Sequence, residues 1–197
     1  AQLVLQDVLT LHGSQFRDAA LIVASPPCQE YSYMAMPWSR AKAIAAEYRS
    51  GVRDVKKLTA LFDACFRIQR EACEAAGHFI PLVVENVRGA IPWVGRSRWN
   101  FGSYHLWGDI PALMPMTKAF KNIPHRTAGH WANLAEHEEG VKQHKSGRAW
   151  FADPDTISGS TSSKSKSRKA ASAAIAKIPF MLARHIAAYW KPTELCI

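Results

Sequence analysis

Two short stretches carry the residue types best suited to chemistry. The first is Ser25-Pro26-Pro27-Cys28-Gln29, which follows the apolar run Leu21-Ile22-Val23-Ala24. That run predicts a short buried strand. Neither proline can donate to a sheet ladder, so the strand must stop and leave Cys28 on a rigid turn beyond its end. The second is Glu85-Asn86-Val87, delivered by the apolar run Pro81-Leu82-Val83-Val84. In open α/β sheets, ligands bind outside the carboxyl ends of the strands. A thiol and a carboxylate at two adjacent strand ends would meet in one pocket, the thiolate as nucleophile and the carboxyl group as acid or hydrogen-bonding partner. The alternative for Cys28 is a small buried hydrophobe, which the two prolines and the polar Gln29 argue against.

The elements that would hold these stretches follow from the rest of the chain. Leu3, Val4 and Leu5 predict an opening strand, with Gln6-Asp7-Val8-Leu9 as its transition to a loop marked by Gly13 and Ser14. Residues 30–38 mix polar and aromatic side chains without a period and predict a functional loop. Residues 40–53 are Ala-rich and helical, with Gly51 as a break. The clearest helix covers residues 54–76, where Val55, Leu58, Phe62, Cys65, Phe66, Ala72, Cys73 and Ala76 recur at helical spacing. Asp54 is its N-cap and Gly77 its stop. Cys65 and Cys73 lie on its apolar side as core thiols. Strand, strand, helix, strand in that order predicts an α/β unit with a largely parallel sheet.

Pro27-Cys28-Gln29 and, 57 residues later, Glu85-Asn86-Val87 resemble the two catalytic motifs of the cytosine-C5 DNA methyltransferases of bacterial and phage type, the enzymes of restriction-modification. Order, spacing and strand-end context agree. The resemblance covers residues 1–100 well and the C-terminal helix loosely. It implies a Rossmann-like, S-adenosylmethionine-dependent methyltransferase fold with a mostly parallel sheet, plus a small irregular target-recognition region. It also implies a reaction. Cys28 would add to C6 of a cytosine flipped out of double-stranded DNA, Glu85 would hold or protonate N3, and Asn86 would fix the carboxylate's surroundings. The methyl group would come from S-adenosylmethionine, with no metal. Enzymes that methylate exocyclic amines resemble the Pro-Pro stretch but place an aromatic after it, so Cys28 favours carbon as the acceptor.

Further residues are carried over from the same resemblance. Asp7 would contact the cofactor adenine, although a turn or cap aspartate is the equal local alternative. Pro26 and Pro27 would border the cofactor, and Gln29, Ser32 and Arg88 would face DNA. Arg96-Ser97-Arg98 resembles the family's arginine pair, which adds Arg96 and Arg98 to the catalytic set. Val94 stands where that family usually has a glutamine, and the interval from Glu85 is short. The family's glycine-bearing strand-to-helix turn, and the ribose-binding acid after it, are absent; no GxGxxG occurs. The encoded cofactor site is therefore expected to be incomplete, and a chain starting at Ala1 is expected to be a fragment of a longer protein.

Charge points to the partner. Residues 1–87 hold nine Lys/Arg against nine Asp/Glu, whereas residues 88–197 hold sixteen against seven, so the whole net charge of +9 lies after the second motif. A basic half beside a neutral one suits a polyanion, because each base set against a phosphate releases counterions. The expected organisation is a catalytic core at 1–92, a basic Trp-rich DNA-recognition region at 93–157, a flexible Ser/Lys segment at 158–169 and a returning C-terminal helix at 170–197. That helix has Pro179 at a first turn and Leu182, Ile186 and Tyr189 as its buried stripe. Arg126, Lys164, Lys166 and Arg168 are candidate phosphate contacts. His130, His137 and His144 at sevenfold spacing read as a solvated helix face rather than a metal site. Four cysteines without a framework and no long apolar run fit a reducing cytoplasm and exclude a spanning helix. Two rival functions remain open: an RNA cytosine-C5 enzyme of the same fold, and a DNA-binding remnant that has lost catalysis.

Overall fold

The structure, a computed structural model, describes residues 3–31, 38–101, 104–114, 178 and 180–191. The chain forms two compact units. One comprises Ala1–Asn100, His105–Pro111 and Tyr189–Ile197, and the other Phe101–Tyr104 and Ala112–Ala188. The described elements are β1 (Ile22–Ala24), α1 (Trp38–Arg49), α2 (Val55–Ala76), β2 (Leu82–Asn86), α3 (Ile91–Val94), β3 (Trp99–Phe101), β4 (Tyr104–Gly108) and α4 (Phe180–Tyr189), with 3-10 turns at Gly13–Phe16 and Arg88–Ala90. No described helix is long and apolar enough to cross a membrane.

The fold is mixed α/β, with a small open sheet in the order β1-β2-β4-β3. β1 and β2 are parallel, Ile22 facing Leu82 and Ala24 facing Val84. Their connection contains α1 and α2, as a parallel crossover demands. β4 runs antiparallel to β2, so the sheet is mixed rather than mostly parallel. The two-residue link between β3 and β4 is far short of the dozen or so residues that a parallel return needs, so β3 and β4 are joined as a hairpin, and β4 is the arm that returns beside β2. The expected opening strand is also absent. Leu3, Val4 and Leu5 lie outside any strand and are 85%, 60% and 90% exposed.

One face of the first unit's sheet carries the core. Ile22, Ala24, Leu82, Val84 and Trp107 meet Tyr48 of α1 and Leu58, Phe62 and Cys65 of α2. Leu58, Phe62, Cys65, Ile68 and Ala72 are buried in three- and four-residue steps along α2, the stripe that its sequence shows. Asp54 caps the helix by accepting from Lys56 N, and Gly77 ends it in the left-handed region at φ 71°. Cys65 is a core thiol whose pKa burial pushes up to about 11. Cys73 is half-buried and bonds the Ile80 backbone through its sulfur. In α4, Leu182 and Ile186 are buried as expected, but Tyr189 is 50% exposed. It lies seven residues from Leu182, one step past the buried pair, at the helix's last turn.

The chain before β1 is tied to α2 by an arginine and a carboxylate. Arg67 donates to the carbonyls of Val8, Leu9 and Leu11. Glu71 accepts from Gly13 N at 2.7 Å and pairs with Arg67. These two partners hold the Glu71 carboxyl below its ordinary range, with the Gly13 N–H first. Gly13 is required by close approach: a Cβ there would overlap the Ile68 carbonyl and the Glu71 Cβ.

Candidate active site

The parallel register brings the two stretches together. Ala24 faces Val84, so Ser25 leaves the end of β1 beside Glu85 of β2. Ser25 Oγ donates to Glu85 Oε2 at 3.2 Å. One step further, Asn86 Nδ2 donates to the Pro26 carbonyl at 3.0 Å. The Asn86 Oδ1 accepts from Val87 N at 2.8 Å, so the side chain clamps both the proline turn and its own strand end. Asn86 is 1% exposed and Glu85 6%. A carboxylate that far from water needs polar company, and Ser25 supplies part of it.

Cys28 opens a turn just past the prolines, its carbonyl accepting from Tyr31 N at 3.0 Å. It is half-buried and in no disulfide. Glu30 and Tyr31 hold that turn in place. Tyr31 is buried and donates from its hydroxyl to the Leu58 carbonyl of α2 at 2.7 Å. Burial first, then the carboxylates of Asp63 and Glu30, push its pKa up to about 12. Glu30 accepts from the Tyr48 hydroxyl of α1 at 2.7 Å. Glu30 and Tyr31, read from sequence as part of the functional loop, are thus anchors of the turn to both helices. Gln29 is exposed in the turn.

The remaining sequence candidates fall as follows. Asp7 is exposed in a local turn, where its Oδ1 accepts from Leu9 N and its carbonyl from Thr10 and Leu11. Arg88 is exposed on the 3-10 turn directly after β2. Arg96 and Arg98 are exposed too. The Arg98 N–H donates to the Leu106 carbonyl at 2.9 Å, and Leu106 is the register partner of Glu85. Arg98 therefore lies two strand spacings from Glu85, roughly 10 Å at the backbone. Ser32, Arg126, Lys164, Lys166 and Arg168, with the three-histidine series and the whole Ser/Lys segment, lie outside the described residues. Among the described residues, no group of His, Cys, Asp or Glu could hold a metal.

Two residues beside this site are not visible in the sequence. His105 on β4 is the register partner of Asn86. It is 5% exposed and its Nδ1 lies 2.8 Å from Ser97 Oγ. Burial first, then the nearby Arg88 charge, lower its pKa below the ordinary 6.5. Nothing local marks either residue; only the pairing of β4 on β2 places them. No family model matches the chain, and no curated protein or solved structure is similar enough to count as a match.

Proposed function

We propose that the chain belongs to a DNA cytosine-C5 methyltransferase, with Cys28 as nucleophile and Glu85 as the carboxyl group that acts on the base. The observation that supports this most is the pair of bonds Ser25–Glu85 and Asn86–Pro26. They join a thiol-bearing turn to a buried carboxylate at the carboxyl ends of two parallel strands, where α/β folds bind their ligands.

The chemistry needs those two groups. Cytosine C5 is a weak nucleophile. A Cys28 thiolate adding at C6 forms a C–S bond and pushes the ring electrons towards C5 and N3. Glu85 at N3 stabilises that charge by a hydrogen bond or a shared proton. C5 is then enamine-like and takes an electrophile, and loss of the C5 proton expels Cys28. A duplex base must leave the stack to reach such a site, at a cost of a few kcal/mol. Exposed Arg88, Arg96 and Arg98 at this end of the sheet suit the phosphates on either side of it.

The implied methyl donor is S-adenosylmethionine. The described residues do not fit a complete cradle for it: Asp7 bonds its own turn, and no glycine-bearing strand-to-helix turn stands among them. The steps this chain's residues support are therefore those on the base. The same misfit favours a second reading, a DNA-binding module of this fold without methyl transfer.

Exchange of the cytosine C5 hydrogen with water separates the two, because it needs base activation and no donor. The expected result is exchange on a cytosine-bearing duplex that is lost in Cys28→Ala and Glu85→Gln. Duplex binding without exchange would leave the binding module. Covalent trapping on 5-fluorocytosine DNA with S-adenosylmethionine added, seen on a denaturing gel, then tests the complete reaction.

A further inference from the structure

The segment that carries the arginine pair is gripped by three successive residues of β4. Trp107 Nε1 donates to the Gly95 carbonyl at 3.0 Å. The Leu106 carbonyl accepts from Arg98 N. Between them, the His105 ring meets Ser97 Oγ at 2.8 Å. On its other side, His105 stands directly across the β2–β4 ladder from Asn86, at a Cβ separation of about 5 Å. Asn86 in turn holds the Pro26 carbonyl, two residues before Cys28. His105 thus stands between Ser97 of the arginine segment and Asn86, whose amide holds the thiol turn.

We infer that His105 is a positioning residue of the candidate active site, fixing Asn86 against the proline turn and setting the arginine segment in register with it. This rests on the reading of Cys28 and Glu85 as the reacting pair. His105 has no place in the chemistry itself: it lies behind Asn86 on β4, and the residue facing Glu85 is Leu106. Its contribution is geometric. Asn86, across the ladder, is hydrogen-bonded to Pro26, and Ser97 Oγ to the ring itself, so a ring that keeps both in place limits the freedom of each. Three things suit it to that task. It is buried, which excludes competing water. Its ring nitrogen is engaged by Ser97. And its lowered pKa keeps the ring uncharged near neutral pH, beside Arg88.

The test uses the full chain as wild type, Ser97→Ala, His105→Phe and His105→Asn. Asn keeps a polar atom near the Nδ1 position, and Phe keeps the ring without it. The first readout is the rate at which iodoacetamide alkylates Cys28, resolved by mass spectrometry from the rate at Cys73 in the same molecules. The second is C5-hydrogen exchange. Expected are a changed Cys28 rate in Ser97→Ala and His105→Phe with the Cys73 rate unmoved, and exchange lower by about tenfold or more, as misplacement of a reacting group produces. His105→Asn should restore both towards wild type. Equal Cys28 rates in all four proteins would overturn the inference, and so would parallel changes at Cys28 and Cys73, which mean general loosening. Absence of exchange in the wild type would instead remove the proposed function, and the alkylation comparison would still decide the role of His105.

Discussion

Asn86 is the residue on which the site's geometry turns. Its amide spans Pro26 and Val87 from a position with 1% exposure. Truncation to alanine removes both bonds and leaves a half-buried carbonyl and N–H to find other partners, a loss of up to about 1–3 kcal/mol where a group is left unsatisfied. Urea unfolding of Asn86→Ala should show a midpoint lowered accordingly; an unchanged midpoint would mean that water replaces the amide at no cost. His105 gives a pH signature. Its folded pKa lies below the ordinary 6.5, so below about 6.5 the unfolded chain binds the proton more readily. Its contribution to stability is complete above that pH and is lost as pH falls towards the depressed folded value. In denaturant melts from pH 7.5 to 5, His105→Asn should flatten part of the wild-type decline. Identical slopes would assign the decline to other groups.

At the level of elements, the site depends on α2 holding what precedes and follows it. Gly13 and Glu71 make one such joint. Gly13→Ala forces the opening segment away from the helix, an overpacking cost of about 1–3 kcal/mol, which a thermal melt would register. Asp54→Ala removes the N-cap and costs about 1 kcal/mol. The caps of α2, its apolar stripe and the two strand ends were legible in sequence because each is a local pattern of hydrophobic period and stop residues. What was hidden depends on pairing. Leu3–Leu5 look like a strand, yet among the described residues no strand pairs with them and they lie in solvent. Tyr31 looks like loop and is core, because its hydroxyl finds a helix carbonyl 27 positions away. The direction of β4 against β2 is a matter of strand pairing that no local pattern in its own sequence carries. Of the candidate site, Cys28, Glu85 and Asn86 could be named in advance and were brought to one edge; His105 and Ser97 could not, since a ladder register leaves no trace in either residue's neighbours.

For the whole molecule, charge sets the expected behaviour towards nucleic acid. All of the net +9 lies after residue 87, so duplex binding should weaken steeply with salt, by about 10³–10⁵ between 50 and 200 mM if 6–10 phosphates are engaged. Fluorescence anisotropy with a labelled duplex at the two salt concentrations measures this, and salt-independent binding would argue against a phosphate interface. The bonds that close the site also carry a consequence for the order of events in folding. Ser25–Glu85 and Asn86–Pro26 each join residues 60 positions apart, with α1 and α2 lying between them in the chain. Local helix formation runs far ahead of such long-range parallel pairing, which must first meet the entropy of closing the loop. The thiol and the carboxylate are therefore strangers through most of refolding, and they meet only when β1 docks on β2. Competence at this site and completion of the sheet should arrive in the same kinetic phase, after the helical signal has already recovered.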